Sequence, residues 1–212
     1  MVLSAKYGKE IADGLIQTIQ LNKDYLSEID GKIGDGDHGI NMNKGFTMCR
    51  ERLEGQSPSV SEVFAIISQT LMEDIGGSMG PLYGVLFEGM SMASEGREAI
   101  AAEDFAQMLS AAVEGVMEIG SAQVGDKTLL DTLVPAKDAF ADSLAAGHGF
   151  DECLSAMKGA ASAGWRSTEN MVAKIGRASR LGERSRGVLD AGATSCYLLL
   201  TALADSILPL LT

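Results

Sequence analysis

Basic residues are in short supply in this 212-residue chain: 17 Lys and Arg face 29 Asp and Glu, a formal net charge of −12. That deficit argues against a general nucleic-acid or anionic-membrane binder, which needs a basic surface. Cysteine is equally sparse. Cys49, Cys153 and Cys196 are odd in number and too far apart for a zinc or disulfide pattern, so they read as buried, reduced thiols of a cytoplasmic protein. Only four prolines occur, and no Pro/Ser-rich linker divides the chain. No secretory signal is visible, because Met1–Asp13 contains Lys6, Lys9 and Glu10 and no apolar run. The most apolar stretch, Ala193–Ala204, is shorter than the ~20 residues a membrane span needs and is followed by Asp205. Strand-type alternation never persists over a useful length. The expectation is one cytoplasmic domain, residues 1–212, that binds neither nucleic acid nor membrane.

Glycine is in excess: 25 residues, about 12% against a usual ~7%. Helical periodicity dominates the rest. Apolar positions recur at spacings near three and four in Ser4–Asp30 and again in Asn41–Leu53. Ser59–Glu62 reads as a capping box opening a third helix to about Glu73. Pro81 suits the first turn of a fourth, running to about Ser94. Further helices are expected over Glu103–Ile119, over Leu129–Leu144 with Pro135 bending or restarting it, over Phe150–Ile175, and over the nearly apolar Ala193–Leu208. These eight helices predict an all-α bundle. If they alternate up and down, the loops after the first, third, fifth and seventh share one end. Glycine clusters in all four: Gly31–Gly39, Gly76–Gly84, Gly120–Gly125 and Gly176–Gly192.

Four constellations lie in those loops. Asp30, Asp35 and Asp37 place three carboxylates within eight residues on a glycine-rich turn. Hard oxygen donors with little bulk suit Mg²⁺; turn and helix capping is the other reading. An EF-hand fails, since its twelfth position from Asp30 is Asn41, and zinc is disfavoured because His38 is the one softer ligand nearby. Gly76–Gly84 runs into a helix start, which suits phosphate or simply a tight turn, and it lacks the Gly-Lys-Ser/Thr of a Walker A loop. In Gly125–Asp131, Lys127 faces a phosphate or pairs with Asp131. Lys174–Arg186 gathers five of the 17 basic residues in an acidic protein, either a phosphate-binding arm or a solvated loop. Asp190 contacts a ribose or an Arg, or caps the last helix. His148 and Trp165 read as structural. A metal cluster, a phosphate-type turn and an arginine loop at one end are what phosphoryl transfer needs. No Ser-His-Asp or Cys-His order points to acyl transfer.

The motifs Ile33–Gly39 followed by Asn41–Asn43, Gly76–Pro81, Gly125–Thr128, Gly176–Ser185 and Asp190–Ser195 resemble those of the nucleotide-binding L subunits of bacterial dihydroxyacetone kinases, over essentially the full length. The resemblance implies an eight-helix, up-and-down antiparallel barrel with ADP or ATP and two Mg²⁺ ions at one end. It assigns the metal to Asp30, Asp35 and Asp37. It assigns the nucleotide to His38, Gly39, Ile40 and Asn41, to Ser78 and Met79, to Gly120 and Leu129, and to Arg177, Asp190, Ala191 and Gly192. No catalytic residue beyond the metal ligands is expected, because the family's sugar sits covalently on a separate K subunit. In many members a phosphocarrier M subunit of the phosphotransferase system recharges the nucleotide; in others free ATP is the donor. Two departures stand out: Met79 replaces a small or hydroxyl residue, and Arg180 replaces an aromatic one. Rival readings are a kinase using the same barrel for another acceptor, such as another ketose or a partner-held fatty acid, and a nucleotide-dependent regulatory module. The complete Asp triad weighs against the last.

Overall fold

A computed structural model describes residues 1–212. Nine α-helices account for most of it: α1 (Gly8–Leu21), α2 (Lys23–Ile33), α3 (His38–Leu53), α4 (Val60–Asp74), α5 (Met79–Ser94), α6 (Ala102–Ile119), α7 (Leu130–Ala145), α8 (Phe150–Ser167) and α9 (Ala191–Ile207). Each packs on the next, and α9 returns to α1 to close the ring. Short connections between consecutive helices impose the antiparallel order. The expected all-α barrel is therefore present, with α1 and α2 forming one bent wall of eight.

Three elements differ from the sequence expectation. The first helix is split at Asn22, whose amide side chain donates to the Thr18 carbonyl at 2.8 Å and whose backbone leaves the helical region. Asn competes with the backbone for such bonds, which is why it interrupts helices. The seventh helix stops at Ser167 and not at Ile175. The Ser167 and Thr168 hydroxyls donate to the carbonyls of Gly164 and Trp165, satisfying the last turn. A two-residue antiparallel ribbon, β1 (Leu3–Ser4) with β2 (Ala99–Ile100), pairs Leu3 with Ile100. Two residues are too few to display alternation. Pro135 does not restart α7, which is continuous through it. The capping box is where the sequence placed it: the Ser59 hydroxyl accepts from the Glu62 amide at 3.3 Å, and the Glu62 carboxylate accepts from the Ser59 amide at 2.7 Å.

A single cluster of 46 buried apolar residues fills the barrel. Phe105, Phe140 and Phe150 lie 5.2–5.9 Å apart and knit α6, α7 and α8. Phe46, Phe64 and Phe87 do the same for α3, α4 and α5. Such aromatic groups add a preferred geometry to their burial. All three cysteines are buried and unpaired. With a short 3₁₀ extension, Ala191–Leu210 is longer than the run read from sequence and has the length and composition of a membrane span. It packs on α1, α7 and α8, burying Cys196, Leu199, Leu200, Leu203 and Ile207. An all-round apolar helix is what the centre of a helical bundle requires.

Candidate functional site

The four glycine-rich connections, α2–α3, α4–α5, α6–α7 and α8–α9, converge on one cavity of about 740 Å³. That volume is in the range of small-molecule sites. Its floor is the acidic turn. Asp30 ends α2, and Asp35 and Asp37 follow on the turn to α3, where Gly36 adopts a φ of 78° that only glycine takes freely. Carboxylate oxygens of the three Asp residues lie within 4.8 Å of one another. The His38 amide donates to Asp30 at 3.3 Å, and Arg177 reaches across from the α8–α9 arm to form an ion pair with Asp35. Three converging carboxylates with a single arginine among them leave uncompensated negative charge. An oxygen-only donor set of this kind fits Mg²⁺.

Two helix N-termini face the same space. Neither Asp37 before α3 nor Ser78 before α5 caps its helix with a side-chain bond; the first amide of α3, that of His38, is held by Asp30, and the first amides of α5 have no side-chain partner. Open amides and the positive end of the helix dipole suit phosphate. The α9 N-terminus is different, because the Asp190 carboxylate accepts from the Ala193 amide at 2.7 Å. Above the turns the wall becomes apolar, with Leu82, Val116, Ile119, Leu129 and Ile175. A charged floor under an apolar wall accommodates a phosphorylated ligand with a flat ring.

Thirteen of the fifteen residues named from sequence line this cavity: Asp30, Asp35, Asp37, His38, Asn41, Ser78, Met79, Gly120, Leu129, Arg177, Asp190, Ala191 and Gly192. Gly39 and Ile40 lie off it. Gly39 is packed against the Lys23 carbonyl of α2, and Ile40 points outward with 53% of its surface exposed. Lys127 corrects one of its two sequence readings. It lines the cavity but does not pair with Asp131, because its ammonium is bonded to four backbone carbonyls. Asp131 instead accepts from the Gly125 and Thr128 amides at 2.5 and 2.7 Å, shaping the loop. Asp190 realises its capping reading. His148 and Trp165 are away from the cavity; the indole of Trp165 donates to Thr194 and stacks on Tyr197 at 4.5 Å.

The sequence reading missed Tyr83. Its hydroxyl lies 2.6 Å from the Ser195 hydroxyl, which in turn lies 2.8 Å from His38 Nε2. This chain of bonds crosses the barrel from α5 through α9 to α3 and fixes the His38 ring. Periodicity alone marks Tyr83 as one more buried position of α5. Burial lowers His38 to about 4, against the pull of Asp30, so the imidazole is neutral near pH 7. Burial raises Asp190 to about 6, with the Ala193 amide and Lys127 opposing.

Comparison with known proteins agrees with this geometry. The DAK2 domain profile matches residues 32–205. The ADP-binding subunit DhaL of the PTS-dependent dihydroxyacetone kinase of Lactococcus lactis is 40% identical over 189 residues, covering 88% of this chain and 90% of that protein. The corresponding DhaL subunit of the PEP-dependent enzyme of Escherichia coli is 36% identical over 182 residues, covering 85% and 87%. The crystal structure of the C. freundii dihydroxyacetone kinase with AMP-PNP and Mg²⁺ superposes with a TM-score of 0.66 at 25% identity, over 92% of this chain and 33% of that longer one. With the profile spanning most of its length and these relatives matching nearly end to end, the chain belongs to the DAK2 domain family.

Proposed function

We propose that the chain is the nucleotide-binding phosphotransferase subunit of a dihydroxyacetone kinase. It passes a phosphoryl group from Mg-bound ATP, or from ADP recharged by a phosphocarrier M subunit, to dihydroxyacetone held on a separate K subunit. One observation carries the reading: three carboxylates, two uncapped helix N-termini and Arg177 face a single cavity. The DhaL names and the AMP-PNP complex among its relatives support the same assignment.

Asp30, Asp35 and Asp37 would hold two Mg²⁺ ions, which neutralise phosphate oxygens when bound. The amides at the starts of α3 and α5, with Asn41, Ser78 and Met79, receive phosphate oxygens. The Met79 side chain offers no hydroxyl, so its backbone amide serves. Arg177, paired with Asp35 in this structure, would be in reach of the phosphates when Asp35 serves as a metal ligand. Neutral His38, held by Ser195, adds a polar but uncharged edge. Gly120, Leu129 and the apolar wall take the base, and Ala191 and Gly192 bring the α9 backbone close to the sugar. Activation of the acceptor hydroxyl is assigned to the partner subunit. One cytoplasmic domain over residues 1–212 is the matching organisation, supported by its continuous core.

The deciding experiment is a kinase assay with the K subunit, comparing ATP with the phosphocarrier chain as donor and dihydroxyacetone with other ketoses as acceptor. Phosphoryl transfer to dihydroxyacetone is expected. Strong K-subunit binding with no transfer to any acceptor would favour a regulatory module.

A further inference from the structure

The most unusual side chain in the cavity wall is Lys127, of which only 2% is exposed. Its Nζ donates to the backbone carbonyls of Thr168 (2.7 Å), Met171 (3.2 Å), Ser185 (2.8 Å) and Val188 (2.5 Å). None of these partners is a carboxylate. Burying an ammonium is unfavourable unless bonds replace its water, and here backbone oxygens alone do so. Lys127 is also the one non-glycine residue with a left-handed backbone, φ 65°. That conformation costs a side-chain-bearing residue free energy and persists only where its surroundings demand it.

The four carbonyls form two pairs. Thr168 and Met171 begin the α8–α9 connection, and Ser185 and Val188 end it. Between them runs the arm that carries Arg177 to Asp35. Lys127 therefore ties the neck of a loop whose tip reaches the metal-binding turn. Further bonds close the same neck: the Gly187 amide to the Glu169 carbonyl at 2.7 Å, the Ala173 amide to the Ser185 hydroxyl at 2.9 Å, and Arg186 to the Asn170 carbonyl at 2.5 Å. Beyond the neck, the arm is held by Arg177 itself and, at its base, by Lys174, whose amide donates to the Asp126 carbonyl and whose ammonium pairs with the Asp126 carboxylate at 3.1 Å.

We propose that Lys127 is a positioning residue for nucleotide binding: its ammonium, caged by four carbonyls, closes the neck of the 172–184 arm and so sets Arg177 over the phosphate end of the cavity. This rests on the nucleotide reading above. Lys127 acts through Arg177 and touches no phosphate itself.

The test is calorimetric titration of Mg·ADP into wild type, Lys127→Met, Lys127→Gln, Arg177→Ala and the Lys127→Met/Arg177→Ala double variant, with trypsin digestion read by fragment mass. Lys127→Met keeps the stem and loses every donor, and affinity is expected to fall roughly ten-fold. The double variant is expected to bind no worse than the weaker single variant, since both remove one shared contribution. Cleavage after Arg177, Arg180 and Arg184 accelerates in Lys127→Met while the helical circular-dichroism signal holds; Lys127→Gln, with two remaining donors, lies between. Unchanged affinity and cleavage in Lys127→Met, or losses that multiply in the double variant, would overturn the proposal. Should Lys127→Met not fold, wild-type behaviour of Lys127→Gln in both assays overturns it equally. Wild type that fails to bind Mg·ADP sinks the nucleotide reading instead, and the trypsin comparison still judges whether Lys127 ties the arm.

Discussion

At the scale of single residues, the site sets function against stability. Asp35 and Asp37 are exposed and converge with Asp30, so their mutual repulsion burdens the ligand-free protein. Asp37→Asn is expected to leave thermal stability within about 0.5 kcal/mol of wild type, as exposed substitutions do, or slightly above it. Its Mg-dependent phosphoryl transfer should fall about a hundred-fold or more, the scale of losing one preorganised electrostatic group. Paired melting and turnover assays check both halves. Two buried groups act oppositely on pH. Unfolded His38 titrates near 6.5 and folded His38 near 4, so the unfolded chain binds the extra proton and stability falls as pH drops through that window. Unfolded Asp190 titrates near 3.8 and folded Asp190 near 6, so the folded chain holds the extra proton and stability falls as pH rises through that window. The two slopes offset each other between pH 4 and 6. Asp190→Asn keeps an oxygen to cap Ala193 but cannot titrate. Its melting temperature, measured without nucleotide, should therefore rise with pH from 4 to 6.5 more steeply than that of wild type. Identical profiles would refute the assignment.

Among the elements, close approach of α3 to α2 sets the metal turn. Gly39 lies in the first turn of α3 with its Cα against the Lys23 carbonyl and Ser27 of α2, where a Cβ would overlap backbone. Overpacking of this sort costs about 1–3 kcal/mol. At about 2–4 °C per kcal/mol for a chain of this size, Gly39→Ala is expected to melt several degrees lower. It should also bind Mg·ADP more weakly, because moving α3 moves Asp37 and the amides beside it. A scanning calorimetry trace and a binding titration on the same sample test the pairing; a variant destabilised but binding normally would separate this glycine from the site. Helix type and spacing were largely legible, since amphipathic periodicity reports burial directly. The ends were less so. Asn22 and the Ser167–Thr168 pair end helical runs through side-chain bonds to backbone, which apolar spacing does not register.

For the molecule as a whole, the site is assembled from four loops, so occupancy couples to global unfolding. A ligand at about a hundred times its Kd adds roughly 2.7 kcal/mol, which is about 5–11 °C at the slope just given. Mg·ADP is expected to raise the melting temperature by that order, and EDTA to abolish the increase, because the carboxylates repel an unescorted polyphosphate. ADP stabilisation that survives EDTA would remove the metal from the reading. The net charge of −12 fits this picture: an acidic chain holds a polyanion through bridging cations and bare amides instead of a basic surface.

The sequence by itself determined the helical class, the parity that sends four glycine-rich loops to one end, and the acidic and arginine motifs those loops carry. These are local properties, written in periodicity and in the residue types of single segments. Only the tertiary structure decided that Lys127 turns inward to four carbonyls, that Tyr83 joins His38 through Ser195, that Gly39 serves helix packing, and that Leu82, Val116 and Ile119 form the apolar wall of a cavity at the edge of the core. Each of those outcomes depends on partners distant along the chain. A buried ammonium, a hydroxyl relay and a half-open apolar wall are defined by what closes around them, and that is set when the ring of helices closes.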